Sequence, residues 1–471
     1  MTPTQRLLAL GGRAVLALVG AGAVVVLAAA VLLAPTPQLA PDVPAITVTP
    51  DRAAQQVVCT GGVLGLTRGD DPQLTVVQQP QRRSSGTGLV ETPLGASDAL
   101  EGAPVVVTLP VEAPDTLVAA AESTRIDSPD STDLRGLAAA ECGQVSRTAW
   151  LVGGSTQVGR TTWVVLTNPG DVAATVDLRV WGASGPIEAP GTSGLIIAPG
   201  SQRIVSLAGI AVDEPSPVIA VESRGGSIAA HLQQSVVRGL DPSGVALATA
   251  TERPATRHVI PALPVVGSQL VLERATGEIV DDALTTLRMI VPGDTASDVT
   301  ITLRPASGGS GDPTGQVITT TVAAGSVFDL PITDLPDGDW AVLVEGTEPL
   351  VVGARTTSGG PSGLDIAWFS AAGALEAGDD VLTSVAPTGA GVTARLHLFA
   401  PDGDVTATVD GREVSVPAGQ SVVVPTAANV GVRLAADGVL HASVSYRGDG
   451  LIGGTRILPP PATARAVTVY P

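Results

Sequence analysis

Residues 166–182, LTNPGDVAATVDLRVWG, hold one of only two asparagines in the chain, followed at once by Pro-Gly-Asp. Asn168, Pro169, Gly170 and Asp171 are residue types that serve either a reactive loop or a plain turn. In a turn, proline fixes φ near −65°, glycine accepts positive φ at the next position, and Asn or Asp bond to the backbone. Other candidates for chemistry are few. His231, His258, His397 and His441 show neither H-x-H nor H-x-x-x-H spacing, so no metal site is assigned. His397 in RLHLF and His441 in VLHASV read as strand residues. Serine is plentiful, but no G-x-S-x-G elbow occurs and no catalytic residue is assigned. The runs Asp402-Gly403-Asp404, Asp337-Gly338-Asp339 and Asp379-Asp380 lack an EF-hand or β-roll pattern and read as solvated turns. Trp181 falls by alternation on the polar face of its strand with Asp177 and Arg179. With Trp163 expected on the partner strand, it is the candidate for stacking on a sugar ring.

Composition narrows the chemistry further. The 26 basic residues are all arginine, which removes the phosphate-loop lysine and every lysine Schiff base or lysine general base. No cofactor motif remains. A net charge of −19 argues against a nucleic-acid partner, which needs a concentrated basic face. Hydrophobic residues reach 44% but aromatics only 2%, and 55 Gly and 38 Pro punctuate short β-branched runs. That pattern predicts an all-β chain of sandwich modules.

Residues 14–34, AVLALVGAGAVVVLAAAVLLA, are apolar or glycine throughout. About 20 such residues cross a bilayer as a helix, and Arg6 and Arg13 lie on the N-terminal side. The expected order is therefore a cytoplasmic N-terminus (1–13), a transmembrane signal anchor (14–34), a Pro-rich stalk (35–50) and an extracellular bulk. Cys59 and Cys142, 83 positions apart, are predicted to form a disulfide in that oxidising setting, with Cα atoms about 4.4–6.8 Å apart.

The opening stretch has relatives within the chain. LTNPGDVAATVDLRV (166–180) pairs with MIVPGDTASDVTITL (289–303) and, more loosely, LFAPDGDVTATVD (398–410). A second turn follows in register in IIAPGSQRIVSL (196–207), TTVAAGSVFDLPI (320–332) and VSVPAGQSVVVPT (414–426). Three tandem immunoglobulin-like sandwich modules are expected at 146–255, 256–372 and 373–471, after a shorter one at 51–145 stapled by the disulfide. Val291 and Ala400 replace Asn168 in the sister copies, so the stretch reads as a hairpin turn. On that reading Asn168→Asp keeps the fold and Gly170→Val strains it.

TAWLVGGSTQVGRTTWVVLTNPGDVAATVDLRVWG (148–182), IIAPGS, IAAHLQQS and the single N-terminal span resemble the actinobacterial family known as domain of unknown function 5719. The resemblance covers roughly residues 50–460 and implies an envelope protein without known catalytic residues. The expectation is a rod-like, non-catalytic, membrane-anchored spacer or interaction scaffold. Alternatives are a cell-wall glycan-binding protein and an accessory subunit of an envelope enzyme or a cryptic hydrolase. Its partners would be the membrane, through 14–34, and a cell-wall glycan or another envelope protein.

Overall fold

Alternating Val, Leu, Thr and Ala between Gly and Pro turns build β-strands wherever one face can be buried. The computed structural model describes residues 46–48, 54–67, 71–99, 102–113, 117–127, 134–274, 283–307, 315–459 and 467–469. Strands dominate it, with one short α-helix, Ser268–Arg274, among the described residues. Residues 1–13 and the apolar run 14–34 lie outside the described residues; among the described residues no helix is long and apolar enough to cross a membrane. The stalk region contains a strand, Ile46–Val48, which pairs antiparallel with Val467–Val469 as a small unit of its own.

The second unit contains four modules of one design. In the module 146–255, one sheet places Thr148–Val152 beside Val218–Gly225, then Ala174–Gly182, then Leu195–Ile197. The facing sheet runs Asp241–Thr249, Ala229–Arg238, Arg160–Asn168, Ser201–Ser206. Module 256–372 and the part of 373–471 that lies in this unit, through Leu451–Arg456, repeat both orders. In the former, the long strand Gly338–Gly360 passes from one sheet into the other. The opening strand lies beside a late strand rather than beside its successor, which departs from the immunoglobulin order. The N-terminal module repeats the core of the design: Gln55–Val58, Val105–Leu109 and Val90–Pro93 face Gly136–Glu141, Ala119–Ile126 and Gln81–Ser85. It is thus a fuller copy than its sequence suggests.

The modules form a closed cycle through their closing strands. These are Gly136–Glu141, Asp241–Thr249, Gly363–Ser370 and Leu451–Arg456. One face of each stays in its own module while the other enters a neighbouring core. Ile366 and Trp368 join the core of module 146–255, and Ile452 joins that of 256–372. Leu137 and Ala139 join the core of 373–471, and Val245 and Leu247 return to the N-terminal module. The rod expected from a tandem repeat is therefore a ring. Each exchanged large side chain contributes about 1.5–3 kcal/mol of burial that a free module forfeits.

Asp365 sits where the four strands meet. Its carboxylate accepts backbone N–H bonds from Leu137 (2.9 Å), Val245 (3.2 Å), Ile366 (2.9 Å) and Ile452 (3.0 Å), one from each closing strand. A Cβ on Gly136 would lie 2.2 Å from the Asp365 Oδ1, so only glycine admits this approach. Burial pushes the Asp365 pKa up to about 7, against the pull of the four N–H donors.

Two predictions follow from this centre. The native state holds the Asp365 proton up to about pH 7, whereas the unfolded chain loses it near 4. Its stabilisation is thus full below about pH 4 and lost as pH rises through 7. Asp365→Asn, which leaves N–H donors facing an amide, should cost about 1–3 kcal/mol, a gap that narrows between pH 4 and 7 in denaturant unfolding. The isolated fragment 146–255, lacking Ile366 and Trp368, should show no cooperative melt, whereas 45–471 should unfold as a unit.

Candidate functional site

Asn168 ends Arg160–Asn168 in one sheet, and Ala174–Gly182 begins in the other, so the stretch is an arch between sheets and not a hairpin. The sister copies cross in the same way. Asn168 is fully buried. Its Nδ2 donates to the carbonyls of Val172 (2.8 Å) and Ile197 (3.1 Å), while its Oδ1 accepts from Gly170 N (3.0 Å). Gly170 and Gly293 lie outside the left-handed region, which corrects the expectation that the first turn demands glycine. The demand falls on the second turn: Gly200, Gly325 and Gly419 adopt φ of 60°, 73° and 67°.

Trp181 occupies the predicted outer face, but only 8% of it is exposed because module 256–372 covers that face. It stacks on Trp150 with centroids 5.4 Å apart, not on Trp163. Trp163 lies in the opposite sheet, half-buried against Leu64, Ala99 and Ile204. Neither indole is a surface platform for a sugar.

Cys59 and Cys142 are joined as predicted, though their Cα atoms, 4.1 Å apart, lie closer than the expected range. Glu122 lies beside the bridge and was not anticipated. Its Oε1 accepts from Thr60 Oγ1 and from Gly61 N (2.7 Å), while Arg82 Nε stands 3.6 Å from Oε2. Burial raises its pKa. The three residues cluster at ligand distance, but the disulfide occupies both sulfurs.

His258 and His441 are near enough to interact electrostatically, with Arg257 and Asp402 beside His441. His397 Nε2 lies 2.8 Å from Ser445 Oγ and 3.7 Å from Asp339 Oδ1. Serine and aspartate thus share one ring nitrogen, whereas a proton relay needs one on each side. His397 and Ser445 are fully buried, and burial, helped by Arg395, pushes the His397 pKa down to about 3. Arg395 and Arg447 hold the Asp339 carboxylate. His258 Nε2 and His441 Nδ1 bond the carbonyls of Leu350 and Ala372. The acidic turns are engaged from within: Asp402 by Arg257, Asp404 by Ala418 N, Asp337 by Gly267 N and Ser268 N, and Asp380 by Arg433.

Two buried ion pairs join modules. Arg288 is bidentate to Asp329 (2.8 and 2.9 Å), donates to Gly154, Pro215 and Pro217 carbonyls, and lies 4.8 Å over the Trp368 ring. Burial works to raise the Asp329 pKa, but the Arg288 guanidinium outweighs it and leaves the group below its ordinary value. Arg456 Nε and Thr249 Oγ1 both donate to Glu141 Oε1 (2.9 and 2.6 Å). This second pair floors a cleft of about 290 Å³ between the N-terminal module and module 146–255. His231 and Trp150 line the same cleft. No spacing rule could find it, because its walls come from residues near 58, 144, 231, 252 and 456. The only local signal was a histidine in the strand Ala229–Arg238, among Gln233, Gln234 and Ser235, which gives no sign of a cleft.

Asn168→Asp removes both Nδ2 donors and sets a carboxylate against two carbonyls. It should cost about 2–4 kcal/mol. Gly170→Val should be nearly neutral, whereas Gly200→Val and Gly419→Val should each cost about 1–3 kcal/mol. Chemical denaturation of 45–471 measures all four; a silent Asn168→Asp with a damaging Gly170→Val would refute the arch geometry.

Among solved structures, the chain is similar to Thermotoga maritima 1070, with 14% identity and a TM-score of 0.21 over 26% of this chain and 95% of that one. It is also similar to the Anabaena sensory rhodopsin transducer, with 20% identity and a TM-score of 0.17 over 21% and 92% of the two chains. A biofilm associated protein BSP domain aligns at 9% identity and a TM-score of 0.13, over 89% of this chain and 99% of that one. No curated protein matches. The model of the family described as a family of unknown function (DUF5719) matches residues 95–425, and the chain belongs to that family.

Proposed function

We propose that this protein is a membrane-anchored envelope protein whose extracellular bulk is a rigid, non-catalytic interaction scaffold. The observation that carries this reading is the ring: four modules exchange closing strands and lock on Asp365. A flexible spacer gains nothing from such closure, whereas a platform that must present fixed surfaces does. The burial that keeps His231 and His397 neutral, with pKa values near 3, and the pairing of its acidic turns also support it. Anchoring rests on the uncharged run 14–34 with Arg6 and Arg13 before it.

A C-terminal alkaline phosphatase fusion should be active, the corresponding cytoplasmic reporter silent, and the chain should sediment with membranes. Recovery of a soluble mature protein beginning near residues 35–45 would overturn the anchor.

A further inference from the structure

We infer that the cleft between the N-terminal module and module 146–255 is a binding site for an uncharged saccharide of one or two rings. Its volume of about 290 Å³ lies at the lower end of ligand-pocket sizes. His231 lines it, is 6% exposed and has no hydrogen-bond partner among the described residues. Its ring nitrogens are not among the side-chain atoms sealed from solvent, so they open onto the cleft, which thereby presents a polar group that makes no bond within the described residues. As a neutral imidazole, His231 offers one donor and one acceptor side by side. A sugar hydroxyl matches that pair, because it donates and accepts at once.

The other walls fit the same chemistry. Trp150 is half-buried, backed on one side by Trp181, and lines the cleft. Packed with Trp181 in one cluster, it gives the cleft an apolar wall suited to the C–H groups of a sugar. Gln144 bonds Pro459 O through Nε2 (3.2 Å), which leaves its carbonyl oxygen to accept from a ligand. The lining charges balance in number: Arg456 lies against both Glu141 (2.9 Å) and Glu252 (3.8 Å), and Arg253 supplies the second positive charge. A phosphate or carboxylate ligand would need a net positive wall, and a purely apolar one would leave His231 unpaired. The site does not depend on membrane anchoring, so its failure and that of the anchor are separate outcomes.

The test titrates the detergent-solubilised full chain with N,N′-diacetylchitobiose, maltose and galactose, with inorganic phosphate as the charged comparison. Tryptophan fluorescence and calorimetry are the readouts. At least one sugar should saturate with a Kd of about 1 mM or tighter. His231→Leu should weaken it at least tenfold without lowering the melting temperature. Thr148→Trp, at an exposed rim position, should block it and keeps the test valid if His231→Leu misfolds. Binding to insoluble chitin alongside the free disaccharide distinguishes a wall polymer from a free sugar. Absence of saturation by all three sugars, binding untouched by both variants, or tighter binding of phosphate overturns the proposal.

Discussion

Everything in this structure depends on the burial of the four closing strands on both of their faces. A strand at the end of a sandwich normally keeps one face for its own core and gives the other to water. Here Val245 and Leu247 face the N-terminal module while Ala246 and Ala248 face their own. Each core is therefore completed by its neighbour, around a closed cycle. The arrangement leaves the backbones so close that carboxylate, glycine and N–H groups, not side-chain layers, fill the middle. Asp365 occupies the gap because two oxygens can accept four N–H groups that would otherwise be stranded in a dry centre.

Buried polar groups are largely consumed by this construction. Arg288 gathers carbonyls of the neighbouring module, and Arg456 ties Glu141 to its own backbone and to Ala371. Such buried pairs gain little net stability over an apolar contact, but breaking one leaves an uncompensated charge. They fix which module meets which. His231 differs from these groups because the same burial leaves its ring facing a cleft rather than a partner.

Much of the local structure was legible. The period of two in Val176, Leu178 and Val180 gives the buried face, and Asp177 and Arg179 give the other. The repeated Pro-Gly turns mark where the chain changes direction. What they cannot say is whether the next strand pairs with the last or crosses to the facing sheet, because both need the same local punctuation. Asn168 shows the limit. Its replacement by Val291 and Ala400 in sister copies reads as indifference, yet all three are buried, and only in the first does an amide secure the arch.

Composition and pattern by themselves determined the all-β class, the fourfold repeat, the disulfide and the absence of lysine chemistry, because these follow from residue identity and short-range spacing. The ring, the Asp365 centre and the cleft were decided only by tertiary structure. The stretch IAWF after Asp365 says that both faces of its strand are buried but names no neighbour. Trp181 illustrates the reason. Alternation placed it on the outer face correctly, but whether an outer face meets water or another module depends on contacts between residues far apart in the chain.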